Sequence, residues 1–249
     1  MKMTLIEMVQ DILSDMDGDV VNSISDTPDS QQVAQILKTT YYELLALSTW
    51  PHTGKLMSLE ASTDINRPNY LRLPENVYEL QEVWYNTSDD LDTDNRYTRI
   101  EVITPSDFLK MVSRRSSDNE EVDVVEDFSG AKLHIYNNKG PRWCTSFDDE
   151  WLVFDAWNKD VDDTLQSSKN QAMVFEYPSF TLVDNHVPDM PAKYFPYYLS
   201  EAKSVAFNAL KQLPNQKEEQ RSRRQRTRLV TESRRTRNYL VRSPNYGRK

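Results

Sequence analysis

The chain has 249 residues, 38% of them hydrophobic, with five glycines, one cysteine and a formal net charge of −9. That length supports a sizeable core without covalent staples. One cysteine excludes an intramolecular disulfide and a multi-cysteine zinc site, and five glycines leave few for the phosphate loops and tight crossovers of nucleotide-using α/β enzymes.

The charge is unevenly spread. Residues 217–249 hold twelve Lys/Arg and three Glu, a net +9, so residues 1–216 carry −18. An acidic body with a basic tail reads as a body carrying an interaction tail. The N-terminal stretch has Glu7 within its apolar residues and reads as a poor signal peptide. Membrane contact is not expected, because no apolar run reaches the roughly 18 residues that a spanning helix needs.

In chain order, Leu5, Ile6, Val9, Ile12, Leu13 and Met16 recur at helical spacing with acids between them, predicting an amphipathic helix over 3–16 that stops at Gly18. Thr27-Pro28 then opens a second helix, with Val33, Ile36, Leu37, Tyr41, Leu44 and Leu45 on one face and Trp50-Pro51 closing it. Short alternating stretches predict strands within 54–62, 70–74, 77–85, 97–103, 132–136, 151–157 and 173–177. An acidic loop is expected at 88–95, a short helix after Thr104-Pro105, and an exposed loop over 113–127. Phe195, Leu199, Ala202, Ala206, Leu210 and Leu213 form the core face of a later helix, which Pro214 interrupts. Beyond it, the polar segment can continue as a charged helix to about residue 235, and the last fourteen residues read as extended.

Chemistry-bearing motifs are sparse. His52, His134 and His186 stand apart from one another and outside any metal-ligand spacing. Cys144, beside Trp143 and before an acidic turn, reads as an inert thiol. Asp148-Asp149-Glu150 and Asp160, Asp162, Asp163 supply oxygens of the kind hard cations take, but without EF-hand spacing, so a solvated acidic surface is the simpler reading. No Gly-rich phosphate loop occurs. The expectation is a protein that is not an enzyme, with no cofactor and no metal.

The tail holds Arg221, Arg223, Arg224, Arg226 and Arg228, then Arg234, Arg235, Arg237 and Arg242. Clustered arginines neutralise nucleic-acid phosphates, or pair bidentately with acidic grooves of a protein, or are simply solvated. Leu229, Val230, Tyr239, Leu240, Val241 and Tyr246 lie among them. These apolar residues, and the repulsion that an acidic body exerts on DNA, favour protein docking over the alternative of a nucleic-acid-binding tail.

Residues 38–52, ending Ser48-Thr49-Trp50-Pro51-His52, resemble the second helix of the tail adaptor (tail tubular, or head-to-tail connector) proteins of short-tailed bacteriophages. Residues 69–77, with Tyr70-Leu71-Arg72-Leu73-Pro74, are similar to the same family's strand and turn. So are Phe147-Asp148-Asp149-Glu150-Trp151 with the strand after it, and 163–169. The resemblance spans roughly 33–210. It implies an α+β fold: a three-helix bundle with an inserted β-rich domain and an extended C-terminal arm. Under it the chain divides into N-terminal helices (1–52), a β-rich domain (53–186), a third bundle helix (187–214) and a basic docking arm (215–249). The family's role implies a ring of about twelve copies between the portal protein and a downstream tail or nozzle protein, in the virion neck, assembled in the host cytoplasm. Phage DNA would pass through the ring, past acidic walls that repel phosphate. The arm would be unstructured alone and ordered on the portal.

Overall fold

A computed structural model describes the backbone of residues 2–88, 96–212 and 214–241, and the side chains of these as far as Thr231. The described helices are α1 (Leu5–Asp15), α2 (Pro28–Ala46), α3 (Pro105–Val112), α4 (Phe195–Lys211) and α5 (Gln216–Val241). The strands are β1 (Gly54–Met57), β2 (Glu60–Ala61), β3 (Tyr70–Arg72), β4 (Val77–Asn86), β5 (Tyr97–Val102), β6 (Val122–Glu126), β7 (Lys132–Tyr136), β8 (Trp143–Ser146), β9 (Trp151–Phe154) and β10 (Asn170–Glu176). They divide into two compact units. One comprises Met1–Thr53 with Tyr177–Lys249, and the other Gly54–Glu176.

In the helical unit, the N-termini of α1 and α2 are set by local chemistry. Thr4 and Glu7 form a reciprocal capping box on α1, with Thr4 N–H donating to Glu7 Oε2 at 2.7 Å. The next two orphan donors of α1, Leu5 N–H and Ile6 N–H, reach the carbonyls of His186 and Asp184 at 2.7 and 3.1 Å. Helix α1 ends in a Schellman turn, but Asp17 rather than Gly18 takes the left-handed position, at φ 52°. On α2, Thr27 and Ser30 cap reciprocally around Pro28.

The core of this unit gathers Leu5, Met8, Val9 and Ile12 of α1, Val33, Leu37 and Tyr41 of α2, and Tyr198, Ala202 and Ala206 of α4. Each fully buried Leu, Ile or Val contributes about 1.5–3 kcal/mol. Buried hydroxyls are satisfied by backbone: Tyr198 Oη donates to Leu37 O at 2.8 Å and Tyr41 Oη to Asp189 O at 2.9 Å. Lys203 of α4 clamps α1 through Asp11 (2.8 Å) and Asp15 (2.5 Å).

The β unit is built on an eight-stranded sheet in the order β1-β10-β4-β5-β8-β9-β3-β2, with β6 and β7 paired separately. Every pairing in the large sheet is antiparallel except β5 with β8, which run parallel with Glu101 opposite Trp143 and Val102 opposite Cys144. One core cluster includes Tyr70, Leu71, Val83, Ile100, Cys144, Phe154, Ala172 and Val174 from the sheet, Leu133 and Ile135 from β7, and Phe108 and Val112 of α3.

Three expectations need correction. The α+β character stands, but the architecture is not a three-helix bundle with an inserted domain: five helices and a strand-rich, ten-stranded unit are present among the described residues. The polar stretch 113–127 is not all loop. It contains β6, and Arg115 within it is buried, because the hairpin with β7 supplies backbone partners that a polar sequence does not advertise. The charged helix expected to about residue 235 is present, but the arm is not extended beyond it as far as Val241. It is a 26-residue helix, restarted after Pro214 by an Asn215 cap and rich in Arg, Gln and Glu, all good helix formers. Residues 89–95, Leu213, Arg242 and Tyr246 lie outside the described residues.

Candidate functional site

Helix α5 begins where Asn215 Oδ1 accepts the Glu218 N–H at 3.2 Å and Asn215 O accepts Glu219 N–H at 3.0 Å. Glu218 and Glu219 sit in its first turn, where carboxylates complement the positive end of the helix. Glu219 also pairs forward with Arg223 at 2.5 Å, and Glu218 with Arg221 at 3.7 Å. Such pairs stabilise a helix by about 0.2–0.5 kcal/mol each.

The helix packs on α4 and on the turn Pro51–Thr53. Its inward stripe is narrow. Glu218, Ser222, Gln225 and Leu229 recur at steps of four, three and four, and of these only Leu229, 7% exposed, is an apolar residue joining the helical core. Ser222 donates to Glu201 of α4. Glu218 Oε2 and Gln225 Oε1 are buried without a partner. The Tyr197 phenol beside this stripe is pushed up to about 12, by burial and then by Glu201.

The arginines flank that stripe. At about 100° per residue, Arg221, Arg224 and Arg228 form one row, and Arg223 and Arg226 a row on the opposite flank. All five are exposed. Arg234, Arg235, Arg237, Tyr239, Leu240 and Val241 fall on the later turns of α5. Leu229 departs from its expected role as a docking anchor: it is seated in the chain's own core, with Val230 half-buried beside it. The two arginine rows are thus the outward chemistry of the described arm, a double line of bidentate donors suited to carboxylates or phosphates.

The other candidate side chains occupy separate surroundings. His52 packs against Trp50 and Tyr194 with both ring nitrogens buried beside the Asp189 backbone, and burial holds its pKa below the usual 6.5. His134 Nδ1 lies 2.8 Å from Arg115 O, and His186 Nδ1 lies 3.1 Å from Thr181 Oγ1. The Cys144 thiol is fully buried and pushed up to about 12 by that burial. Asp148 accepts the N–H groups of Glu150 and Trp151, Glu150 pairs with Arg72, and Asp162 with Lys169. Among the described residues no group of three or more His, Cys, Asp or Glu is placed to hold a metal ion.

Sequence reading missed the buried polar centre of the β unit. Asp155 and Arg115, 2% and 6% exposed, form an ion pair at 3.0 Å, and Asp155 Oδ1 also accepts Arg142 N–H and Trp143 N–H at 2.9 and 3.0 Å. An acid inside an apolar strand and an arginine in a polar stretch were the available signals. Their pairing spans 40 residues and leaves no periodicity. Comparison of the chain with protein-family models and with curated proteins finds no match.

Proposed function

We propose that this chain is a structural adaptor of a phage neck, a ring subunit that docks on the portal through its C-terminal arm while DNA passes through the ring. The observation that carries the reading is α5: a long helix whose exposed flanks are two arginine rows, on a chain whose first 216 residues are strongly acidic. The segment resemblance to tail adaptor proteins supports the same role and supplies the partner. Arginine rows of this kind fit acidic grooves on a protein. The acidic body disfavours the alternative, a nucleic-acid-binding tail, because it repels phosphate nearby.

The test is charge reversal on exposed positions only: Arg221→Glu, Arg223→Glu, Arg224→Glu and Arg228→Glu together. Co-expressed with the portal protein, the native chain should cap portal rings seen by electron microscopy, and the reversed chain, with unchanged circular dichroism, should not. Equal capping by both would overturn the docking assignment. Retention of duplex DNA at physiological salt by the native chain, lost in the reversed one, would move the arginines to phosphate recognition.

A further inference from the structure

The β unit holds a second candidate surface. Among the described residues, strand β6 pairs with β7 on one side only. Asn137 N–H donates to Glu121 O at 3.0 Å and Asp127 N–H to Ala131 O at 2.8 Å, which places the hydrogen-bonded pairs of this hairpin at residues 121, 123, 125 and 127. The N–H and C=O groups of Val122, Val124 and Glu126 therefore point away from β7. Val122 N–H is taken by Asn119 O at 2.9 Å, and Glu126 O by Arg67 Nε at 3.0 Å. Those of Val124 open onto a groove of about 590 Å³ between β6 and the loop 64–68. That volume lies within the roughly 300–1,000 Å³ of ligand clefts.

Three features of the groove point to its occupant. A free strand edge presenting both a donor and an acceptor recognises extended backbone. The groove is acidic: Asp64, Asp123 and Glu126 line it against the single guanidinium of Arg67, itself held by Asp64 at 2.7 Å. Trp157, 5% exposed, also lines it. Ile65 and Val124, 75% and 47% exposed, provide apolar contact at the rim.

We propose that the free edge of β6 binds an extended, basic peptide segment of another protein as an added strand, with the peptide's cationic side chains answered by Asp64 and Glu126. This goes beyond the adaptor reading and does not depend on it.

The probe is a fluorescein-labelled peptide, Thr-Lys-Val-Arg-Val-Thr, titrated into the full chain. It is compared with a twin carrying N-methyl groups on alternate residues and with another bearing Glu in place of Lys and Arg. The unmethylated basic peptide should bind and perturb the Val124 amide resonance, and its methylated twin should bind roughly tenfold more weakly. The acidic twin should not bind. Val124→Pro removes the outward donor together with the valine side chain at the rim, is tolerated on a strand edge, and should weaken binding by at least a similar factor. Glu126→Gln should cost about threefold and flatten the salt dependence.

Equal binding of the methylated and unmethylated peptides to the native chain overturns the proposal, whether or not the proline variant folds. So does an unperturbed Val124 amide. Self-association that Val124→Pro abolishes would overturn it in favour of a second copy pairing edge to edge.

Discussion

Asp155 ties three stretches of the β unit together through one carboxylate and its own backbone. Besides the bonds to Arg115, Arg142 and Trp143, its carbonyl accepts Arg115 Nη1 at 2.6 Å and Tyr136 N–H at 3.3 Å. Replacing it with Ala leaves a buried guanidinium without its counter-charge, so Asp155→Ala should lower stability by about 3–5 kcal/mol in urea denaturation. Asp155→Asn, which keeps an acceptor, should lose less. His52 gives a residue-scale pH dependence. Its folded pKa lies below the unfolded value because burial disfavours the imidazolium, so the unfolded chain binds more protons and stability rises with pH. The stabilisation is present above the unfolded value of 6.5 and fades as pH falls below it towards the folded pKa. Burial also lowers the pKa of His186, in the same unit. Thermal melts between about pH 7.5 and 5.5 should show a falling Tm that His52→Phe partly flattens and His52→Phe with His186→Phe flattens further. An unchanged slope would place the acid sensitivity elsewhere. These roles are only partly legible in sequence. An isolated histidine reads as structural, but that its ring nitrogens are buried depends on what folds over it.

At the scale of elements, α5 combines strong local helix chemistry with a weak inward face. Its stripe has one apolar core residue and two buried oxygens without partners. Leu229→Ala should therefore remove much of its tertiary anchorage, costing about 2 kcal/mol or more, read as faster amide hydrogen exchange in α5 with α4 unaffected. Gln225→Leu should act in the opposite sense by about 1 kcal/mol, since it replaces an unsatisfied buried carbonyl with an apolar group. The stripe escaped sequence reading because three of its four members are polar. α1, α2 and α3 were legible because their caps and apolar periodicity agree, and α4 from its periodicity alone. Of the strands, β4, β7 and β10 alternate visibly. β6 does not, because its buried residues, Val122 and Val125, are three apart and Asp123 is taken up by Asn137 Nδ2 at 2.9 Å. β8 is only four residues long and carries Cys144 and Thr145, which signal nothing by themselves.

For the molecule as a whole, charge separation is the property that composition states most plainly. The acidic body and the exposed arginines of α5 make association with a charged partner fast at low salt and steeply weakened by added salt. The architecture was less legible: the order of the predicted elements and the segment resemblance both implied three helices around an inserted domain, and the described chain has five helices and ten strands. Strand order across an eight-stranded sheet is set by pairings between residues far apart, such as Gly54 with Phe175, and local pattern does not encode which strands meet.

The lone parallel pairing, β5 with β8, has a kinetic consequence. It is two rungs long and joins an antiparallel quartet, β1-β10-β4-β5, to a second, β8-β9-β3-β2. Each quartet contains a hairpin or near-hairpin able to form early. The joint between them closes over the segment carrying α3 and the β6–β7 pair, a shorter span than β4 with β10 or β3 with β9, but only two rungs are gained to offset its closure entropy. Folding of this unit should therefore be limited by closure at Glu101–Trp143 and Val102–Cys144. In pulse-labelling hydrogen exchange, the Glu101 and Ile103 amides, which bond Arg142 O and Cys144 O at 2.9 Å each, should gain protection after those of β4 and β9. Simultaneous protection across the sheet would show instead that the two quartets fold as one.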